Sequence, residues 1–215
     1  MKRSLPTSTT KESVLQFWFG DANISPALAR KRKKIWYRSG PELDLAISEQ
    51  FSDLLQAAVA GDLDHWRQSA DGCLALVVLL DQFSRHIYRG TPKAFAQDEL
   101  ALEVLLGTTE HRRLSVLERA FLYHPFEHSE LAEMQVLSIQ HFQSLVDDAS
   151  PEWKPLMTEY YRHARQHRDI IETFGRFPHR NAILGRTSTD KELQFLASGG
   201  PTFGQKAKSD PNDDS

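Results

Sequence analysis

Cysteine is nearly absent: Cys73 stands alone among 215 residues, which excludes an internal disulfide and a cysteine-based zinc cluster. It lies in the apolar run Cys73-Leu-Ala-Leu-Val-Val-Leu-Leu80, as a small core residue in a reducing compartment does. That run is far shorter than the roughly 20 apolar residues a membrane helix needs, and Asp81 ends it. Lys2 and Arg3 have no apolar stretch behind them, so no signal peptide is readable and a cytoplasmic location is expected, with no membrane partner. A surplus of charge is missing too. The 26 Lys and Arg against 29 Asp and Glu give a net charge of -3, which argues against nucleic acid as a partner. Also absent are a Gly-x-Ser-x-Gly elbow, a Walker phosphate loop, a dinucleotide glycine fingerprint and sustained strand alternation.

What is present is a series of helix signals inside one domain, residues 9–200. Residues 1–8 and 201–215, rich in Ser, Thr, Pro, Lys and Asp, are expected to be mobile tails. Thr9-x-x-Glu12 reads as a capping box for a helix stopping at Gly20, and Ser25-Pro26 opens a second. A third runs from about Glu42 to Ala60. The next, from near Asp71 to Ile87, is apolar around most of its first half and is expected at the centre of the fold. Thr91-Pro92 caps a helix to Gly107, Ser115-x-x-Glu118 opens one that Pro125 breaks, and Ser129 caps another to about Val146. Ser150-Pro151 starts a long helix to Gly175, and Thr189-x-x-Glu192 starts the last. The fold class is therefore all-α: about nine helices in antiparallel pairs, as an irregular bundle or an α-solenoid.

The densest chemistry lies in Gly175-Arg-Phe-Pro-His-Arg-Asn-Ala-Ile-Leu-Gly-Arg186, where Arg176, His179, Arg180, Asn181 and Arg186 surround Pro178 with no acid among them. Guanidinium groups match carboxylate and phosphate oxygens in a two-pronged geometry, so this cluster wants an anion or a partner carboxylate. Asp81, Arg85 and Arg89 are spaced four apart and form one helical stripe, with Gln82 beside it, extending from a buried helix into a cleft. Around Pro125, His124, Glu127, His128 and Glu130 gather at a helix break, where His128 can pair with a carboxylate as base or orienter. The long helix carries Leu156, Tyr160, His163, His167, Ile170, Ile171 and Phe174 on its inner stripe. Of its two histidines, His167 is the candidate general base and His163 the weaker one. Pro125 spoils the helical geometry of His124 and His128, and no His-Glu-x-x-His phrase exists, so no metal is assigned. The basic run Arg30-Lys-Arg-Lys-Lys34 spreads over all helix faces as a solvated surface, and the four tryptophans read as core or groove anchors.

The phrases Leu80-Asp-Gln-Phe-Ser-Arg-His-Ile-Tyr-Arg-Gly-Thr91, Phe121-Leu-Tyr-His-Pro-Phe-Glu-His-Ser-Glu130 and Phe174 to Arg186 together closely resemble the family catalogued as domain of unknown function 924. Val14-Leu-Gln-Phe-Trp-Phe-Gly20 and Ala60-Gly-Asp-Leu-Asp-His-Trp66 fit it as well, so the likeness covers most of residues 12–197. The resemblance implies a tetratricopeptide-like helical fold, favouring the solenoid, and brings no established reaction or cofactor. This chain departs from the family phrases at Ser84, His86 and His124, where Pro, Asn and Met are usual, so neither histidine takes a family role. The expectation is one cleft for a small anionic molecule or peptide. His128 and His167 serve proton transfer there, and Asp81, Gln82, Arg85, Arg89, Glu130, Arg176, His179, Arg180, Asn181 and Arg186 bind the ligand. The rival expectation is a peptide-binding helical module in which the same charges are internal struts.

Overall fold

The structure, a computed structural model, describes residues 10–37 and 40–205. Those residues are helical with no strand. Helix α1 (Lys11–Phe19) opens at Thr10, whose hydroxyl accepts from Ser13 N–H at 3.4 Å while Ser13 Oγ accepts from Thr10 N–H at 3.0 Å. The capping box thus sits one residue beyond the Thr9-x-x-Glu12 reading, because the Ser13 hydroxyl does what Glu12 was expected to do; Thr9 lies outside the described residues. Helix α2 (Pro26–Tyr37) starts with proline in its first turn and the Ser25 hydroxyl accepting from Leu28 N–H at 3.3 Å, and α3 (Pro41–Val59) follows.

Helix α4 is continuous but not uniform. It runs as Ala70–Val77, widens into a π-helical stretch at Val78–Phe83, and finishes as Ser84–Ile87. It is buried without a break from Gly72 to Ser84 and is packed by α1 and α3. Two later helices, α5 (Asp98–Leu106) and α6 (Val116–Leu122), pack it as well, which gives it the central place its apolar circumference predicts. The widened turn leaves the Leu80 and Asp81 carbonyls to side chains. Ser84 Oγ donates to Leu80 O at 2.5 Å and Arg85 to Asp81 O at 2.6 Å. Such π turns recur at functional sites, and this one carries Asp81 and Gln82. Trp18, Trp36, Phe83 and Phe121 pack edge-on or tilted around it, as core anchors.

One expected helix is interrupted. After Thr91 a 3₁₀ turn, Pro92–Ala94, precedes α5 instead of a continuous helix. The turn delivers Phe95 and Asp98 to the guanidinium groups of Arg85 and Arg180, which a regular helix from Pro92 has no reason to do. Ser115 caps α6 as read, and Pro125 then forces a separate short helix, α7 (His124–His128). Ser129 Oγ accepts from Leu131 N–H at 3.2 Å just before α8 (Ala132–Asp148), rather than capping that helix directly. Helix α8 forms a hairpin with the long α9 (Lys154–Phe174), and α10 (Asp190–Ala197) closes the fold behind a Thr189 capping box. On α9, Leu156, Tyr160, His167, Ile170 and Ile171 are buried as expected, but His163 is exposed and Ala164 and Met157 complete the apolar face.

The loop after α9 begins with Gly175 in the left-handed region (φ 70°), a conformation glycine adopts without strain. It is fixed by carboxylates from outside. Glu130 accepts from Phe177 N–H at 2.8 Å and from both Arg186 terminal nitrogens at 2.7 and 3.1 Å, and Glu192 accepts from Arg176 at 2.7 and 2.8 Å. Residues 201–205, assigned to the C-terminal tail by composition, instead pack inward: Gln205 is buried and donates to Arg85 O at 3.2 Å. The remaining tail segments, 1–9 and 206–215, lie outside the described residues. Among the described residues, no helix is long and apolar enough to cross a membrane.

Two stability outcomes follow from this packing. A Cβ on Gly72 falls on the Trp66 carbonyl oxygen, so Gly72→Ala is expected to lower unfolding free energy by about 1–3 kcal/mol in urea titration. Glu130→Gln removes the fork that holds Arg186. A loss of about 1–3 kcal/mol, partly screened because both side chains are about a quarter exposed, is expected, with proteolysis first cutting the 175–189 loop.

Candidate functional site

A cavity of about 620 Å³ opens between α2, α4, α7, α9 and the 177–180 and 203–205 segments. Its inner end is built on Asp81, which is fully buried in the π turn. Asp81 Oδ1 meets His128 Nδ1 at 2.7 Å and the Arg85 guanidinium at 3.1 Å, while Oδ2 accepts from the Gln82 amide. Burial alone opposes ionisation, but Arg85 and then His128 hold the carboxyl well below the usual carboxylate range. The α4 stripe therefore faces a cleft, with Asp81 behind the wall and Gln82, Arg85 and Arg89 on it.

Arg85 lies two-pronged on Asp98 at 2.9 and 3.1 Å, and Arg180 reaches the same Asp98 at 3.2 Å. One carboxylate thus serves two guanidinium groups. Arg180 also donates to His128 O at 3.0 Å and is stacked between the rings of Phe95 and Phe177, each 4.6 Å from its centre. Its Nε is buried without a hydrogen-bond partner, as is Nδ1 of neighbouring His179. Arg89 is held by Asp44 at 2.6 and 2.9 Å and donates to Gly204 O at 2.7 Å, and His86 shares that Asp44 at 2.8 Å. His86 and His124, where this chain departs from the family phrases, both line the cavity.

A second histidine–carboxylate pair sits beside the first. His167 Nδ1 is 2.7 Å from Glu127 Oε1 and 2.9 Å from His163 O, and its ring is stacked on Phe203 at 3.8 Å. The His128 and His167 rings are 6.0 Å apart. Burial pushes the His128 imidazole down to about 4, with Asp81 opposing and Arg85 assisting, and pushes His179 down to about 2. Glu127, despite a burial effect that raises it, is held down at about 2 by His167.

Of the candidates read from sequence, Gln82, Arg85, Arg89, His128, His167, His179 and Arg180 line the cavity. Glu130, Arg176, Asn181 and Arg186 do not. They form the loop lattice described above, in which Asn181 accepts from Arg186 Nε at 2.9 Å and donates to Ser188 at 3.0 Å. The carboxylates wanted by those arginines lie elsewhere, Glu130 in the loop between α7 and α8 and Glu192 on α10. Sequence reading also passed over Asp98, Asp44, Phe95 and Phe203, read Tyr160 only as part of an inner helix stripe, and placed Arg30, Lys33 and Lys34 on a solvated face. These three basic residues line the cavity mouth, with Glu159 bound by Arg30 at 3.1 Å and by Lys33. The Trp36 anchor beside them was the available signal.

The depressed values fix the acid response. A histidine lowered from 6.5 to about 4 stays neutral in the fold while the unfolded chain takes up its proton, so stability falls as pH drops from about 6.5 towards 4. Glu127 adds a second loss as pH falls from its usual 4.5 towards about 2. Melting temperature measured from pH 7 to 4 is expected to decline, and His128→Gln to flatten the upper part of that decline.

Comparison with known proteins agrees with the resemblance carried by the three phrases. The family described as "Bacterial protein of unknown function (DUF924)" matches residues 14–200. A solved structure, that of the protein of unknown function ATU0120 from Agrobacterium tumefaciens, is similar with a TM-score of 0.73 and 33% identity, covering 88% of this chain and 97% of that one. No curated protein matches. Since the family match spans the central helix, the Pro125 break and the arginine loop alike, the chain belongs to the DUF924 family of bacterial proteins of unknown function.

Proposed function

We propose that the cavity binds a small molecule bearing a phosphate or carboxylate group, and that the protein is a hydrolase or transferase acting on it in the cytoplasm. The observation that carries this reading is the wall itself: Arg85, Arg89 and Arg180, with Arg30, Lys33 and Lys34 at the mouth, face Glu127 and Glu159 as the only lining acids among the described residues. A volume of about 620 Å³ suits a metabolite-sized ligand rather than a folded partner. His128 and His167 stand among those cations, each oriented by a carboxylate, as groups for proton transfer require.

The second reading, a tetratricopeptide-like solenoid that holds a peptide, is supported by the loop lattice, where Arg176 and Arg186 act as struts on Glu192 and Glu130. In it the cavity-lining arginines are struts as well, Arg85 and Arg180 on Asp98 and Arg89 on Asp44.

Calorimetry and thermal shift with inorganic phosphate, glycerol phosphate and succinate test the anion reading, with Arg180→Lys and Lys34→Glu as variants. Saturable binding of one anion class, raising stability by about 2.7 kcal/mol at a hundredfold excess over Kd, is expected. Arg180→Lys should weaken it about tenfold or more, because a point ammonium cannot keep the planar stack and the Asp98 contact together. No shift with any of the three, in protein that melts cooperatively, refutes the reading.

A further inference from the structure

We propose that His128 and His167 are held in opposite protonation states, neutral and cationic, as the general base and general acid of a phosphate-ester hydrolase. This deepens the anion-site reading and rests on it. The two imidazoles each offer Nδ1 to a buried carboxylate at 2.7 Å, yet their surroundings differ in one respect. Asp81 already has a permanent cation, Arg85, at 3.1 Å, and its other oxygen takes the Gln82 amide. Its charge is balanced without help from His128, whose Nδ1–H is directed at Asp81 and whose Nε2 keeps its lone pair. Glu127 is 3% exposed, and the ion pair it makes is with His167. An ionised carboxylate buried this deeply requires a cation, and His167 supplies it by carrying protons on both nitrogens.

The other groups around the pair reinforce the split. His128 faces Arg85, His124 and the backbone contact from Arg180, all of which disfavour a further positive charge or leave it unneeded. His167 faces Glu127 and the His163 carbonyl as acceptors, with His124, His128 and His179 as neutral neighbours and the Phe203 ring stacked on its face. Burial lowers His124, His163 and His179, which keeps the competing imidazoles uncharged.

Both imidazoles line the same cavity with ring centres 6.0 Å apart, so a substrate bound between them meets a base on one side and an acid on the other. Water attacks phosphorus as His128 Nε2 takes its proton; a P–O bond forms. The bond from phosphorus to the alkoxy oxygen breaks, its electron pair staying on that oxygen, which receives the Nε2 proton of His167. Inorganic phosphate and an alcohol leave, His128 is cationic and His167 neutral, and exchange of one proton through solvent restores the start. Arg85 and Arg180 line the same cavity and supply positive charge to a phosphoryl group as it collects negative charge.

Two readouts separate this proposal from the anion-site reading. Long-range ¹H–¹⁵N correlation spectra of the full chain at pH 7, with and without inorganic phosphate, are expected to show His128 singly protonated at Nδ1 and His167 doubly protonated. Glu127→Gln should convert His167 to the neutral form while phosphate binding by calorimetry persists. Hydrolysis of glycerol phosphate and of 4-nitrophenyl phosphate is then compared. His128→Gln is expected to cost about 100-fold or more on both, and His167→Gln more on the alkyl ester than on the aryl ester, whose leaving group needs no acid. Identical protonation states for the two imidazoles, or no turnover of either ester by protein that binds phosphate, overturns the base–acid assignment and leaves the anion site standing. Absence of phosphate binding removes both.

Discussion

The ionised carboxylate of Asp81 at the centre of the helical core is the constraint on which the site depends. A charge taken fully out of water is tolerated only where every lone pair has a donor, and Arg85, His128 and Gln82 supply them from three directions. That demand orients the rest. His128 lies on α7, whose start is set by Pro125, and Arg85 sits one turn beyond the π stretch whose widened geometry also hands it the Asp81 carbonyl. The apolar sheath that makes α4 central is thus what gives its one buried acidic residue the power to position the groups around the cavity.

Carboxylates placed on one helix and guanidinium groups on another also knit the outer parts together. Asp44 on α3 holds Arg89 in the turn after α4, and Asp98 draws Arg85 and Arg180 together. Glu130 and Glu192 fasten the loop after α9. Because arginine carries five N–H donors in a fixed fork, a single residue can hold a structural contact and still present donors elsewhere, so strut and clamp need not be alternatives at Arg85, Arg89 and Arg180. At Arg176 and Arg186 the contacts lead away from the cavity, and the structural role stands by itself.

Much of this was legible in the chain. Caps such as Ser25-Pro26, Ser115 and Thr189 act through hydrogen bonds spanning three residues, so local sequence contains all the parties to them. The central helix showed itself by having no polar face, and His128, His167 and Arg180 by chemistry concentrated in short phrases. The missed residues share a different property: their meaning lies entirely in a distant partner. Asp98 looks like an ordinary acid in the first turn of a helix until Arg180 is brought to it. Phe203 sits in a polar stretch that reads as tail, although its ring covers His167. Assigning Arg176 and Arg186 to a ligand had the same origin, since the carboxylates that claim them, Glu192 and Glu130, are on other elements.

The sharing of Asp98 ties Arg85 and Arg180 into one charge-matched group. Arg85 takes both oxygens of Asp98 and also meets Asp81 at 3.1 Å, while Arg180 reaches one Asp98 oxygen at 3.2 Å, so two guanidinium groups are balanced by two carboxylates. Arg180 Nε, buried between two aromatic rings, has no acceptor among the described residues. A buried donor without an acceptor costs free energy, and the cation–π contacts with Phe95 and Phe177 offset part of it. The stack fixes where the terminal nitrogens of Arg180 point, towards Asp98 and the His128 carbonyl, and this fixed placement, rather than a surplus of charge, is what a planar guanidinium supplies and an ammonium does not.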